Sequence, residues 1–68
     1  MPKLRILSGK QTRAILEANG WVYSHHNGSH MIMKGAATIS VPDHKELTVG
    51  TLGAIIRQSG LDRALFEA

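Results

Sequence analysis

The sequence predicts a small α+β domain in which a three-stranded antiparallel sheet is covered on one face by two helices. Three observations support this fold class. The chain has 68 residues, a length that suits one domain, residues 1–68, with a single hydrophobic core. Apolar residues at helical spacing occur near both ends of the sequence. Between them, two turn signals separate three segments rich in strand-forming residues, which predicts a meander.

The composition is that of a folded, basic protein. Apolar residues make up 43% of the chain and charged residues 19%, as in globular domains rather than disordered tails. Eight Lys and Arg against five Asp and Glu give a net charge of +3, which favours a polyanionic partner but equally suits a merely soluble surface. The chain has no cysteine and its N-terminal residues form no continuous apolar stretch. The lack of cysteine suits a reducing cytoplasm without requiring it, and the N-terminal pattern argues against a secretory signal or a membrane span, so a cytoplasmic protein without a membrane partner is expected.

The first helix is expected to run from Ser8 to about Ala18. Ser8 and Gln11 have the spacing of a capping box, and Asn19-Gly20 supplies a left-handed stop. Its apolar face is predicted from residues at helical spacing, namely Ala14, Ile15 and Ala18 with Leu16 beside them.

Three strands follow the first helix. Residues 21–26 are rich in strand formers, and Asn27-Gly28 is a strong hairpin signal that predicts a type I′ turn. The remaining elements of the meander are a strand over residues 29–34, a turn at Gly35-Ala36, and a strand over residues 37–41 that Pro42 ends.

The second helix is predicted over residues 49–59, with Thr48 as its N-cap and Gly60 as its end. Its apolar face consists of Val49, Leu52, Ile55 and Ile56. A short further turn is expected to pack Leu61, Leu65 and Phe66 on the core. The order helix, three strands, helix resembles the double-stranded-RNA-binding domain, an analogy of fold alone. A core this small predicts a monomer or weak dimer that a partner protein can stabilise.

The four histidines are the first candidates for chemistry, because histidine can accept and return protons near neutral pH. His25, His26 and His30 flank the predicted turn, although exposed strand ends without a catalytic role explain that spacing at least as well. A shared metal ion is disfavoured, since His25 and His26 are sequential on a strand and point to opposite faces. His30 lies early in the central strand, where a base would be held rigidly.

Candidate phosphate-binding groups are distributed along the chain. They are the side chains of Lys3, Arg5, Lys10, Lys34 and Lys45, and the start of the second helix at Gly50-Thr51. Simple solvation explains each lysine as well. Trp21 and Tyr23 can in principle stack on unpaired bases, but the favoured interpretation puts Trp21 in the core and leaves Tyr23 half-buried.

Four segments of the chain resemble the HicA family, the messenger-RNA-cleaving toxins of bacterial and phage toxin–antitoxin pairs. In order, they are Asn19-Gly20-Trp21, Gly28-Ser29-His30, residues 41–44, and residues 46–52 leading to Ile55 and Gly60. Their order and spacing match the family over nearly the whole chain. The resemblance implies a double-stranded-RNA-binding-like fold, an endoribonuclease (mRNA interferase) that needs no metal cofactor, and a cognate HicB-type antitoxin as partner.

The resemblance also gives the catalytic role to His30, the histidine of the Gly-Ser-His motif. Family members often carry a basic residue before that glycine and a second histidine after the first, where this chain has Asn27 and Met31. The RNA contacts around His30 are therefore expected to differ from the family pattern.

The acid that would complement His30 remains open in the sequence. His44 is the first candidate, His25 or His26 the second, while Lys45 and Ser29 are possible helpers. Two other functions stay open as well. One is a non-catalytic module that binds RNA or docks on an antitoxin, and the other is a domain for protein interaction alone, without salt-dependent RNA affinity.

Overall fold

The computed structural model describes residues 3–67, so the predicted domain extends beyond the described residues at both ends. The elements are α1 (Gly9–Ala18), β1 (Val22–Asn27), β2 (His30–Lys34), β3 (Thr38–Pro42), α2 (Val49–Ser59) and a short 3₁₀ helix (Arg63–Phe66). The strands form one antiparallel sheet in the order β1-β2-β3. α1 packs on all three strands and α2 on β3, which leaves the other face of the sheet open. The predicted fold class is confirmed.

Helix α1 begins as predicted but buries a different face. The Ser8 hydroxyl accepts a hydrogen bond from the Gln11 amide at 3.0 Å, and the Gln11 side chain accepts one from the Ser8 amide at 2.9 Å. The buried residues are Gly9, Thr12 and Leu16. Thr12 can be buried because its hydroxyl donates to the Ser8 carbonyl at 3.0 Å. The predicted apolar face is therefore wrong for the two alanines, Ala14 and Ala18, which are exposed, while Ile15 is partly buried.

The β1–β2 turn lies one residue later than the sequence suggested. Asn27 pairs with His30, so the two central turn residues are Gly28 and Ser29. Gly28 has a φ of 64° and Ser29 has no positive φ, which fits a type II′ turn with glycine first. The expected type I′ turn at Asn27-Gly28 needs positive φ at both central residues. As a consequence β2 begins at His30, and Ser29 belongs to the turn.

The core lies between the sheet and the helices. The sheet contributes Met31, Met33, Ile39 and Val41, and the second helix Leu52, Ile55 and Ile56. Val49 was expected on the same face but is 72% exposed, because it is the first residue of α2 and the buried face of the helix starts only at Leu52. Trp21 is buried and Tyr23 is half-buried, as predicted.

Both ends of the described chain close the core. Leu7 and Phe66 are 1% and 0% exposed. The Arg5 amide donates to the Phe66 carbonyl, and the Leu47 amide donates to the Leu7 carbonyl, each at 2.8 Å. Of the tail residues expected in the core, Phe66 is buried and Leu61 partly buried, whereas Leu65 is 40% exposed. Among residues 3–67, no helix is both long enough and apolar enough to span a membrane.

Gly9 lies where the start of α1 comes closest to the end of β3. A Cβ atom at this position would collide with the backbone carbonyl of Pro42, and the Gly9 amide also donates to the His44 carbonyl at 2.9 Å. The backbone of Gly9 and the backbone of residues 42–44 cannot move apart without separating α1 from the end of β3. We expect Gly9→Ala to lower the free energy of unfolding by about 1–3 kcal/mol.

The matched control for this change is Gly53→Ala, in the middle of α2, where an added Cβ meets nothing within 4 Å. Alanine there is expected to raise the free energy of unfolding by up to about 1 kcal/mol, because it lowers the conformational entropy of the unfolded helix segment. Urea denaturation measures both variants. Equal stabilisation of the two would show that α1 does not approach Pro42 this closely.

Candidate active site

His30 lies at the start of the central strand, between Asn27 of β1 and Pro42 of β3. Because Met31 points into the core, the alternation of the strand directs His30 to the open face of the sheet. The His30 side chain is exposed. Within residues 3–67 it forms no hydrogen bond, whereas the rings of His25 and His26 both do. His30 is therefore an imidazole on a rigid element with both ring nitrogens available to a ligand.

The open face is built from three rows of paired residues across the sheet. These rows are Asn27–His30–Pro42, His25–Ile32–Ser40 and Val22–Lys34–Thr38. His30, Ile32 and Lys34 alternate with the buried methionines along β2. His25 and Lys34 thus share a face with His30, and Lys34 lies about 13 Å away from it along the strand.

His26 lies on the opposite face, in a cluster of polar side chains. Its Nδ1 atom is 2.6 Å from the Tyr23 hydroxyl, and its Nε2 atom is 3.3 Å from Oδ2 of Asp43. The guanidinium carbon of Arg13 lies 3.7 Å from the centre of the Tyr23 ring, a cation–π contact, and Arg13 also pairs with Glu17 at 3.3 Å. This Arg13–Tyr23–His26–Asp43 cluster links α1, β1 and the loop after β3.

The sequence did not reveal this cluster. Strict alternation would put Tyr23 and His26 on opposite faces, since they are three residues apart. A β-bulge between Tyr23 and His25 changes the register and brings both side chains to the helix-covered face. Beyond the bulge, His25 pairs with Ile32 and His26 with Met31, so these two histidines do point to opposite faces as predicted.

The segment after β3 connects the cluster to the turn that carries His30. The Asp43 amide donates to the Ser29 carbonyl at 2.7 Å, while the Asp43 carboxylate contacts His26. On the other side, the His44 carbonyl accepts the hydrogen bond from Gly9. The end of the sheet that holds His30 is therefore tied to both the polar cluster and the start of α1.

A model of the family described as "HicA toxin of bacterial toxin-antitoxin" matches residues 9–61 of the 68-residue chain. The match extends from the first residue of α1 to just beyond α2. The chain belongs to the HicA toxin family. Neither a comparison with curated proteins nor one with solved structures returns a match. Membership of the family supports a toxin role within a toxin–antitoxin pair, and hence an antitoxin partner.

Among the predicted site residues, those expected to assist His30 belong to the turn before it and to the loop after β3. Ser29 precedes His30 in the turn. His44 follows Pro42, the cross-strand partner of His30, by two residues, and Lys45 comes next. The side chains of all three are exposed. Ser29 is thus adjacent to His30 in the turn, while His44 and Lys45 belong to the loop that follows β3, the strand paired with His30.

Two of the residues predicted to bind RNA, Lys34 and Lys10, lie on opposite sides of the sheet. Lys34 shares the open face with His30. Lys10 is exposed on α1, on the far side of the sheet, and Lys3 belongs to the N-terminal segment. The Thr51 amide donates to the Thr48 hydroxyl at 3.2 Å, so one of the amides expected to bind phosphate at the start of α2 is already used within the protein.

Two further interpretations, base stacking on Trp21 and Tyr23 and a metal ion shared by the histidines, gain no support from the geometry. Trp21 is buried, and one face of the Tyr23 ring is covered by Arg13, which leaves little aromatic surface for stacking at these positions. Within residues 3–67, no three His, Asp or Glu side chains are grouped as the ligands of a metal ion.

Proposed function

We propose that this HicA toxin is an endoribonuclease that cuts messenger RNA, with His30 as its general base. The observation that supports the proposal most directly is the position of His30, an exposed imidazole at the start of the central strand. A base fixed by a sheet loses little orientational freedom when the substrate binds. Cutting messenger RNA would block translation, which accounts for the toxic effect expected of a family member.

The proposed reaction is an internal phosphoryl transfer. His30 removes the proton of a ribose 2′-hydroxyl, and the resulting oxygen attacks the adjacent phosphorus. The bond from phosphorus to the 5′-oxygen of the next nucleotide breaks. The products are a 2′,3′-cyclic phosphate and a 5′-hydroxyl, which takes up one proton.

We propose His44 as the acid that supplies this proton, because it follows the cross-strand partner of His30. Lys45 would stabilise the negative charge that develops on the phosphate, and the Ser29 hydroxyl would donate a hydrogen bond to it. His25 is the second candidate for the acid, since it shares the open face. His26 is less suited, because both of its ring nitrogens already contact other side chains, Tyr23 and Asp43.

The same proposal implies an antitoxin as the protein partner and the cytoplasm as the compartment in which the toxin acts. An antitoxin of the HicB type would neutralise the toxin by covering His30. Messenger RNA and its translation machinery are found in the cytoplasm, which would be the site of action.

A cleavage assay tests the reaction itself. Labelled RNA is expected to yield fragments that end in a cyclic phosphate, whereas DNA of the same sequence stays intact because it lacks the 2′-hydroxyl. The chelator EDTA should leave the rate unchanged, since the proposed base and acid are both side chains. Loss of activity in EDTA, with recovery on addition of Mg²⁺ or Zn²⁺, would contradict the mechanism. RNA binding without any product would instead support a non-catalytic module.

A further inference from the structure

We infer that the open face of the sheet is the binding surface for single-stranded RNA, and that the RNA runs along β2 from His30 to Lys34. The identity of this ligand rests on the proposed ribonuclease function. The location of the surface rests on the geometry of the sheet. Measuring binding and cleavage separately distinguishes an error in the location from an error in the proposed function.

The distribution of charge favours a polyanion on this face. All five acidic residues of the chain lie outside the three strands, at Glu17, Asp43, Glu46, Asp62 and Glu67. Lys34, in contrast, is exposed on the open face, together with His25 and His30. A phosphate backbone laid along β2 therefore meets one fixed positive charge and two imidazoles, and no carboxylate from the sheet.

Two of the cations on the helix side are already paired with a carboxylate. Arg13 pairs with Glu17 at 3.3 Å and also covers the Tyr23 ring. Arg63 pairs with Glu67 at 2.9 Å. Within residues 3–67, Lys34 forms no such pair. Lys34 is thus an unpaired positive charge that shares a face with His30, whereas Lys10 and Arg57, which form no ion pair within these residues either, lie on the helices.

The middle of the open face suits an unpaired base. Ile32 is partly exposed between His30 and Lys34, and His25 pairs with it across the sheet. The His25 ring is held by a 2.9 Å hydrogen bond between its Nδ1 atom and the Ser24 hydroxyl. An imidazole and an aliphatic side chain can cover the flat face of a base. In a duplex that base face is already stacked, so this surface selects single strands.

The length of the surface fits a short stretch of RNA. His30 and Lys34 are separated by four strand residues, about 13 Å, the span of a few nucleotides. The ribose attacked by His30 would lie at the turn end of β2, and Lys34 would bind the backbone at the other end.

The test measures the affinity for a short single-stranded RNA in which every 2′-hydroxyl is methylated. Such a probe lacks the nucleophile and is not cut, so fluorescence anisotropy reports binding alone. We expect Ser40→Glu, which adds a carboxylate in the middle of the open face, to weaken binding about tenfold or more. Lys34→Gln should weaken it severalfold and reduce its dependence on salt by about one phosphate contact. A duplex probe should bind more weakly than the single strand.

Matched controls exist on α2, on the other side of the sheet. Gln58→Glu adds the same charge as Ser40→Glu, and Arg57→Gln removes the same charge as Lys34→Gln, all at exposed positions. Both controls are expected to change the affinity less than twofold. Equal effects of Gln58→Glu and Ser40→Glu would mean that only net charge matters and would overturn the inference.

The remaining outcomes are also decisive. If the open-face variants bind and cut RNA like the wild type, the surface lies elsewhere although the nuclease function stands. If RNA binds through the open face but is never cut, the proposed function fails and the inference stands. If the wild type binds no RNA, the proposed function and the inference are both wrong. If Ser40→Glu breaks up a dimer in light scattering without changing RNA affinity, the open face is occupied by a second copy of the chain and the inference is wrong.

Discussion

Replacing His30 by alanine is expected to lower the rate of RNA cleavage by about 10²–10⁴-fold, the usual contribution of a general base. The variant should fold normally, because the His30 side chain is exposed and forms no hydrogen bond within residues 3–67. Initial cleavage rates measure the loss, a thermal melt reports the fold, and the methylated RNA reports affinity, which should change only severalfold. Expression of the variant should no longer arrest growth. Cleavage at the wild-type rate would show that His30 is not the base.

His44→Ala is compared with His30→Ala, because the two variants distinguish the role of the general acid from that of the general base. Natural RNA requires protonation of the leaving 5′-oxygen, so this variant should also be slow. A nucleoside 3′-phosphodiester with p-nitrophenol as leaving group does not need an acid. On that substrate His44→Ala should be as fast as the wild type, whereas His30→Ala should remain slow. Equal slowing of both variants would argue against His44 as the acid.

The helix boundaries could be predicted because they are set by local contacts. Ser8 and Gln11 satisfy each other within one turn, and the Thr48 hydroxyl accepts from the Thr51 amide. The β1–β2 turn was missed by one residue because its register depends on contacts across the sheet. Asn27 pairs with His30 and His26 with Met31, and this pairing across the hairpin makes His30, not Ser29, the first residue of the strand.

The candidate site was predictable only in part, for a similar reason. His30 and Lys34 are four residues apart on one strand, so simple alternation places them on the same face. The contact between His26 and Asp43 spans 17 residues and depends on a β-bulge that no residue pattern announces. The bulge also decides which of the two sequential histidines shares the face of His30. It is His25, whereas His26 lies in the polar cluster on the other face.

The chain outside the matched region contributes more to the fold than the family match suggests. The match ends at residue 61, yet Phe66 is fully buried. Its carbonyl accepts a hydrogen bond from Arg5, and Leu4 and Glu67 form an isolated bridge beside it. The 3₁₀ helix also packs on α1. The two terminal segments therefore hold each other on the side of the core that the sheet does not cover.

Replacing Phe66 by alanine is expected to cost about 3–5 kcal/mol, because it removes a large aromatic side chain from a closed core. A core of this size supplies in total only about 3–5 kcal/mol, so the variant should be largely unfolded at 37 °C and inactive. Leu65→Ala is the matched control. It shortens the neighbouring residue, which is 40% exposed, and should cost less than about 1 kcal/mol.

Phe66→Leu distinguishes weaker packing at residue 66 from detachment of the whole C-terminal segment from the core. Leucine retains most of the apolar volume, so this variant should fold with reduced stability and keep its cleavage activity when folded. Urea denaturation followed by circular dichroism measures all three variants. If Phe66→Ala unfolds cooperatively at the wild-type urea concentration, the C-terminal segment does not close the core. The position of His30 would then rest on its strand pairs Asn27 and Pro42, and on the backbone hydrogen bonds of Gly9 and Asp43, without support from the tail.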